Sequence, residues 1–283
     1  MEARSPLMLD VSSPHIKKKM QTTVFLDIET SLIDARTFRI GQQAISYPHT
    51  LTTTRLLTAA WGTMWDLYKK KENGVVGVGN HQSEEFKKNP LDDTYVLKSL
   101  WRLLDKAEVA VAHNANFDKG WIYSRFLQLG WPLPSKTSWI CTVRALSSYN
   151  FTSKKLDALS SLLLGSNKIE TQLSLWQRCS NGETKAFEEM LRYNKGDIYS
   201  TLFGVYVNTC AYYPDLAVDM ADYSLEIPQC KVCGEILEET KLYVDRRNGL
   251  EYQVYTSPLG IQYRDRYNIN SAKAGKGLVR HHV

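Results

Sequence analysis

Thr22-Thr23-Val24-Phe25-Leu26-Asp27-Ile28-Glu29 is a run of β-branched, aromatic and aliphatic residues that turns acidic only toward its end. It has the length of a strand, and its apolar character is nearly continuous, the pattern of a strand covered on both faces. Side chains alternate along a strand, so Asp27 and Glu29 project from the same face. Two carboxylates side by side are unfavourable unless they share a cation. The stretch thus predicts a buried strand that ends where a cation belongs.

Further elements follow outward from it. Residues 55–65, 75–78, 109–112 and 139–143 read as strands. Residues 92–104 place Val96, Leu97, Leu100, Leu103 and Leu104 at helical spacing, and the helix 116–129 is ended by Gly130 and Pro132. Beyond them, residues 155–164 and 184 to about 212 are helical with no strand between. Strands mixed with helices, then helices alone, predict an α/β fold of three layers with a mixed central sheet. Residues 1–20 mix Ser, Pro and Lys without a period and read as a disordered leader. After Pro214 the composition shifts: residues 228–268, poor in aliphatics and rich in Tyr and Arg, read as a small ribbon-like β module, and 269–283 as a basic flexible tail.

The 283 residues are 43% hydrophobic and 23% charged, enough for a sizeable core in one or two domains. No apolar run approaches about 18 residues, and the N-terminal cations follow the few apolar residues, the reverse of a signal peptide. A cytoplasmic protein with no membrane partner is expected. Five scattered cysteines make no disulfide framework and suit reduced thiols. The net charge of +5 sits at the ends: residues 1–20 carry four cations against two acids and residues 261–283 five against one, leaving the middle near −1. Such a distribution fits a body that itself holds cations, with basic arms attached.

Two more acidic segments accompany the first. His113-Asn114-Ala115-Asn116-Phe117-Asp118 follows the strand 109–112 into the first turn of a helix, and Tyr193-Asn194-Lys195-Gly196-Asp197 lies within the long helix, with Tyr193 and Asp197 on one face. Acids from a strand, a helix start and a later helix converge only at one end of a sheet. In-line hydrolysis of a phosphodiester asks for such a set, because two metal ions roughly 3.5–4 Å apart activate the water and neutralise the leaving oxygen. Magnesium and manganese take oxygen ligands. Tyr193 would orient the attacking water rather than take its proton, since an unperturbed Tyr has a pKa of about 10. His113 reads as a hydrogen-bonding neighbour rather than a base, and Gly196 serves either close passage of a substrate strand or helix packing.

These segments resemble the three motifs of the DEDD superfamily of 3′–5′ exonucleases: D-x-E on the first strand, N-x₃-D in the middle and Y-x₃-D near the end. Tyr193 indicates the tyrosine branch, because Arg192 stands where the histidine branch has its His. Lys155-Leu156-Asp157-Ala158-Leu159 is similar to the family's K-L-D-x-L. The resemblance covers about residues 21–213 and implies a ribonuclease H-like fold, two Mg²⁺ or Mn²⁺ ions held by Asp27, Glu29, Asp118 and Asp197, water orientation by Tyr193 and a substrate-contacting amide at Asn114. It also implies a single-stranded nucleic-acid substrate; the branch includes enzymes of DNA and of RNA, and DNA is favoured here because an appended ribbon fits a replication- or recombination-type nuclease better than an RNA-processing module. The alternatives are an RNA 3′ exonuclease or a catalytically silent nucleic-acid-binding protein. More narrowly, the chain is similar to stand-alone phage and bacterial exonucleases that end in a zinc ribbon; phage origin would place it in the host cytoplasm.

Cys230-Lys231-Val232-Cys233-Gly234 has the spacing of half a structural zinc site. By alignment to Gly260, Thr256 and Leu259 stand where the second cysteine pair would be, and His281 and His282 are the only distant substitutes. A degenerate ribbon that keeps its hairpin without Zn²⁺ at Cys230 and Cys233 is expected. Arg246, Arg247, Arg264, Arg266, Lys273, Lys276 and Arg280, interleaved with tyrosines, are either phosphate contacts of a single-strand binder or ordinary surface charge. Arg264 and Arg266 are the substrate-binding candidates of this module.

Overall fold

The computed structural model describes residues 9, 11–37, 49–69, 72–147, 149–165, 172–225, 227–271 and 278–280. In chain order the elements are α1 (Pro14–Thr22), β1 (Thr23–Thr30), β2 (Leu56–Thr63), α2 (Met64–Tyr68), β3 (Val76–Gly79), α3 (Thr94–Lys106), β4 (Val109–Ala112), α4 (Ala115–Gln128), β5 (Ser138–Cys141), α5 (Thr142–Ala145), α6 (Leu156–Leu164), α7 (Leu173–Ser180), α8 (Thr184–Gly196), a π-helical segment Asp197–Leu202, and α9 (Phe203–Tyr212). The strands β6 (Glu238–Val244), β7 (Glu251–Thr256), β8 (Gln262–Asp265) and β9 (Leu278–Arg280) follow. The chain divides into two compact units, one of Met20–Thr209 and one joining Met1–Lys19 to Cys210–Val283.

In the larger unit β1 is the middle strand of a five-stranded sheet ordered β3-β2-β1-β4-β5. It runs antiparallel to β2 and parallel to β4, so the sheet is mixed, as expected. The continuous apolar run of β1 is explained by burial on both sides. Val24, Leu26 and Ile28 pack with Val96, Leu97 and Leu100 of α3 and Ile122 and Phe126 of α4. On the other face Phe25 meets Phe203 and Tyr206 edge-on, with ring centroids 5.2 and 5.0 Å away. Helices on both faces make an arrangement compatible with a three-layer α/β fold. The ladder between β1 and β2 slips at its end, where Glu29 pairs with Thr58 but Thr30 with Leu56. The extra residue, Leu57, joins the cluster of Phe187 and Met190 on the second face, while Leu56 stays in the first. Such a bulge bends β2 opposite Glu29 and Thr30.

Element ends differ from the sequence expectation by a residue or two at most of these positions. Three differences are larger. Pro14–Thr22 is a helix rather than a disordered leader: Ile16 and Met20, four apart, are buried, and the three lysines between them conceal that spacing. Residues 1–8 and 10 of the expected leader lie outside the described residues. The long C-terminal helix is interrupted, because α8 ends at Gly196 and the π-helical segment begins at Asp197, where the Thr201 hydroxyl donates to the Asp197 carbonyl. Helix α7 was not foreseen.

The smaller unit carries a four-stranded antiparallel sheet, β6-β7-β8-β9, with Tyr252, Val254, Tyr255 and Tyr263 buried. Leu278–Arg280, expected in a flexible tail, adds its last strand against β8, whereas 272–277 and 281–283 lie outside the described residues. Residues 230–234 form a tight turn closed by the Gly234 amide on the Cys230 carbonyl at 2.7 Å. Gly234 has φ +77°, and a Cβ there would lie 2.9 Å from both the Met220 carbonyl oxygen and Ile16, so glycine is required on both grounds.

Candidate active site

Strand β1 delivers Asp27 and Glu29 to the same face as Phe25, the face that α8 covers. Asp197, at the junction of α8 and the π-helical segment, meets them there. One ligand oxygen from each of Asp27, Glu29 and Asp197 lies within 4.8 Å of the other two. Asp197 is 2% exposed, and Asp27 and Glu29 are half-buried. A π-helical turn widens the helix by a residue and is frequent at functional sites, and here it starts at the acid itself.

The neighbours fix the carboxylates. The Asn194 side-chain amide, wholly buried, donates to Asp27 Oδ2, and its own Oδ1 accepts from the Thr58 hydroxyl at 3.3 Å. Thr58 is the residue paired with Glu29 across the β1–β2 ladder. The Trp176 indole of α7 donates to Glu29 Oε2 at 3.2 Å and lies edge-on to the Tyr193 ring, 6.2 Å away. A carboxylate held by such a donor is restricted to one orientation, which is how outer groups tune a metal site. Neither Asn194 nor Trp176 was among the candidates. Asn194 stands three residues before Asp197 on the motif's own helix and was legible as its neighbour; Trp176 lies on α7, where no element was expected.

Asp118 reaches the site from α4, which follows the parallel neighbour of β1. It is 2% exposed, and its Oδ1 accepts from the Ile28 amide at 3.3 Å. Burial, and next the charge of Asp27, hold its pKa well above the ordinary carboxylate value. The folded state therefore binds this proton more tightly than the unfolded chain. The resulting stabilisation is full below the unfolded pKa and is lost as pH rises through the folded one. Asp118→Asn accordingly melts higher than the parent in EDTA, by a few degrees at about 2–4 °C per kcal/mol, and the gap widens as pH rises from 4 to 8. A gap that stays constant with pH would refute the assignment.

Neither a protein-family model nor a curated protein matches this chain. The function is therefore argued from the site itself. Of the expected residues, the fold gathers Asp27, Glu29 and Asp197, sets Asp118 behind Asp27, and buries Tyr193 against Trp176. Asn114 is exposed at the turn into α4, the only non-glycine at positive φ (61°) among the described residues, and its side chain does not cap the helix. Both nitrogens of His113 are engaged, Nδ1 with the Thr142 hydroxyl and Nε2 with the Lys154 carbonyl, each at 2.8 Å. That suits a bracing neighbour better than a base.

Arg264 and Arg266 belong to the other unit, where the Arg264 guanidinium lies 4.5 Å from the Tyr252 ring and Arg266 is exposed. Cys230 and Cys233 are fully buried, with the Tyr263 hydroxyl 3.5 Å from Cys230 Sγ. The Cys233 thiol, hydrogen-bonded to Cys230, lowers the Cys230 pKa to about 6 against the cost of burial, and Cys233 is pushed up in turn. Among the described residues no third His, Cys, Asp or Glu completes a group with them; His281 and His282 lie outside.

The donor set fits hard divalent cations. Clustered carboxylate oxygens, partly open on one side and oriented by an amide and an indole, are what Mg²⁺ or Mn²⁺ takes, and they offer no soft or nitrogen ligand. A cleft of about 330 Å³ lies beyond the end of β1: its lining includes Ser31, two residues past Glu29 in sequence, and Gln177, which follows Trp176. Its walls mix Asp34, Thr52, Thr53, Ser180 and Asn181 with Leu32 and Leu91.

Proposed function

We propose that the larger unit is a metal-dependent 3′–5′ exonuclease of the tyrosine branch of the DEDD superfamily, on a ribonuclease H-like fold, with single-stranded DNA favoured over RNA. The observation that supports it is the convergence of Asp27, Glu29 and Asp197, from a central strand and a distant helix, within 4.8 Å. Acids so placed repel one another in a folded protein that has no cation to share. Their order along the chain is that of the three exonuclease motifs, and Asp118 adds the fourth acid from the expected helix start.

In this reading Asp27, Glu29 and Asp197 hold two Mg²⁺ or Mn²⁺ ions, with Asp118 completing the set. The ions, when bound, supply Lewis-acid charge to the attacking water and the leaving oxygen. The remaining work falls to the chain. Asn194 and Trp176 keep Asp27 and Glu29 in one orientation each. Tyr193, packed against Trp176, turns its hydroxyl to the water and fixes the line of attack. Asn114, exposed beside the acids' helix, contacts the strand.

The deciding experiment gives 5′-labelled single-stranded DNA and RNA of equal sequence to the protein with Mg²⁺, Mn²⁺ or EDTA. A ladder that shortens from the 3′ end and vanishes in EDTA is expected, faster on DNA. Absence of cleavage with both sugars and both metals would leave a nucleic-acid-binding protein at most. Within the reading, Trp176→Phe lowers kcat about 10- to 100-fold, as loss of a ligand-orienting donor does. Its Mn²⁺ affinity falls with it. Unchanged turnover and affinity would reduce Trp176 to a packing residue.

A further inference from the structure

A second cleft lies in the same unit, between α3 and the end of α4. Lys98, Trp101 and Arg102, at i, i+3 and i+4, share one face of α3, and Trp131 and Pro132 follow α4. These five residues line a space of about 340 Å³, within the range of small-ligand pockets. Both indoles are held in place. The Trp101 Nε1–H donates to the Pro132 carbonyl at 2.7 Å, and the Trp131 ring stacks on Phe126 with centroids 6.0 Å apart and planes at 22°. Each remains half-buried, with part of its surface open to the cleft. Lys98 and Arg102 are exposed, and neither makes an ion pair among the described residues.

Fixed aromatic walls beneath two exposed cations, of which Lys98 also feels the Asp92 carboxylate, complement a ligand with a flat aromatic part and a negative charge close by. That is the chemistry of a nucleotide: base–aromatic stacking supplies sequence-tolerant affinity, and Lys and Arg meet the phosphate. We propose that this cleft holds a base and its phosphate from single-stranded nucleic acid, as a site separate from the carboxylates. Asp118, in the first turn of α4, and Leu129, the residue after its end, stand eleven residues apart. At 1.5 Å per residue that is roughly 17 Å, or about five nucleotides at the stacked rise of about 3.4 Å. Because α3 and α4 cover the sheet face opposite Asp27 and Glu29, a strand reaching both sites passes around the sheet, and the cleft would grip it farther from its 3′ end than that straight spacing. In taking the strand to be a substrate the inference rests on the exonuclease reading; the binding chemistry does not.

The test measures binding of fluorescein-labelled oligothymidylate of about twelve nucleotides, and of about three, to the full chain in EDTA. The parent is compared with Trp131→Ala and with the exposed double variant Lys98→Glu/Arg102→Glu, which leaves the core untouched. The longer strand should bind roughly tenfold more weakly to both variants, and the three-nucleotide strand, which supplies the same base and phosphate, should weaken in the same order. Equal binding of the longer strand to the parent and the double variant would overturn the proposal. So would competition for the cleft by an acidic proline-rich peptide that leaves oligothymidylate bound. Failure of the exonuclease reading shows separately, as no 3′ shortening in Mg²⁺ or Mn²⁺ by a parent that still binds the longer strand through this cleft.

Discussion

Asp27→Asn is expected to fold and to lose 3′ hydrolysis by about three orders of magnitude or more. Metal ions stabilise the charge that develops on phosphoryl and leaving oxygens by several kcal/mol, and each 1.36 kcal/mol is tenfold in rate. Asp27 is the acid whose loss removes most of that. It contributes to the three-carboxylate cluster, receives the Asn194 amide and is the charge that raises the pKa of Asp118. An asparagine at 27 keeps an oxygen to accept from Asn194, so the buried amide stays satisfied. Alanine there would orphan it, at a cost of about 1–3 kcal/mol, and would mix a folding defect into the kinetics. With its charge gone, the variant should also melt at least as high as the parent in EDTA, since one source of repulsion is relieved. The parent gains Tm on adding Mn²⁺, because ligand binding to the folded state stabilises it, and Asp27→Asn gains little or nothing. Single-turnover cleavage and melting with and without Mn²⁺ settle the matter together. Parental turnover in Asp27→Asn would remove the carboxylate cluster from the chemistry altogether.

How far the sequence reaches is seen by comparing particular residues. Asp27 and Glu29 were legible because strand alternation is a local rule that tertiary structure seldom overrides, and the apolar run before them needed covering on both faces. Asp118 was legible as an acid at a helix start and Asp197 as the acid four residues after Tyr193 within a helix; their meeting with β1 depends on topology, which no local pattern encodes. The π-helical segment at Asp197 was not legible. Its residues, Asp197–Leu202, include only one strong helix former, Leu202; that lowers helix propensity without marking a π-helical turn, and the segment packs on β1 and β2. Helix α1 escaped for the opposite reason: lysines at 17, 18 and 19 dominate its composition, and only two apolar positions mark its buried side. The role of Trp176 depends on bringing α7 to Glu29 across 147 residues of chain, which no local pattern encodes.

The same dependence on topology governs the largest expected loss of stability, which lies outside the carboxylate site. Arg125 of α4 and Asp93, the residue before α3, form a bidentate pair, Nε to Oδ2 and Nη2 to Oδ1, both at 2.8 Å. Both side chains are almost wholly buried. Asp93 Oδ2 also accepts from the Leu56 amide at 3.1 Å, at the first residue of β2 and beside its bulge. One carboxylate therefore ties α3, α4 and the start of β2 together. Arg125→Met removes one partner and leaves Asp93 charged, buried and unpaired, a change that costs about 3–5 kcal/mol. For a domain of this size that is a fall in Tm of roughly 10 °C or more. Arg125→Met/Asp93→Leu should recover part of the loss, since an apolar pair can replace a buried ion pair at little net cost. Recovery stays incomplete because the Leu56 amide then has no acceptor. The double-mutant cycle should accordingly return a strong coupling. If Arg125→Met melts within about 2 °C of the parent, the pair does not hold these elements together, and the register of β2 beside Glu29 must be fixed by the bulge alone.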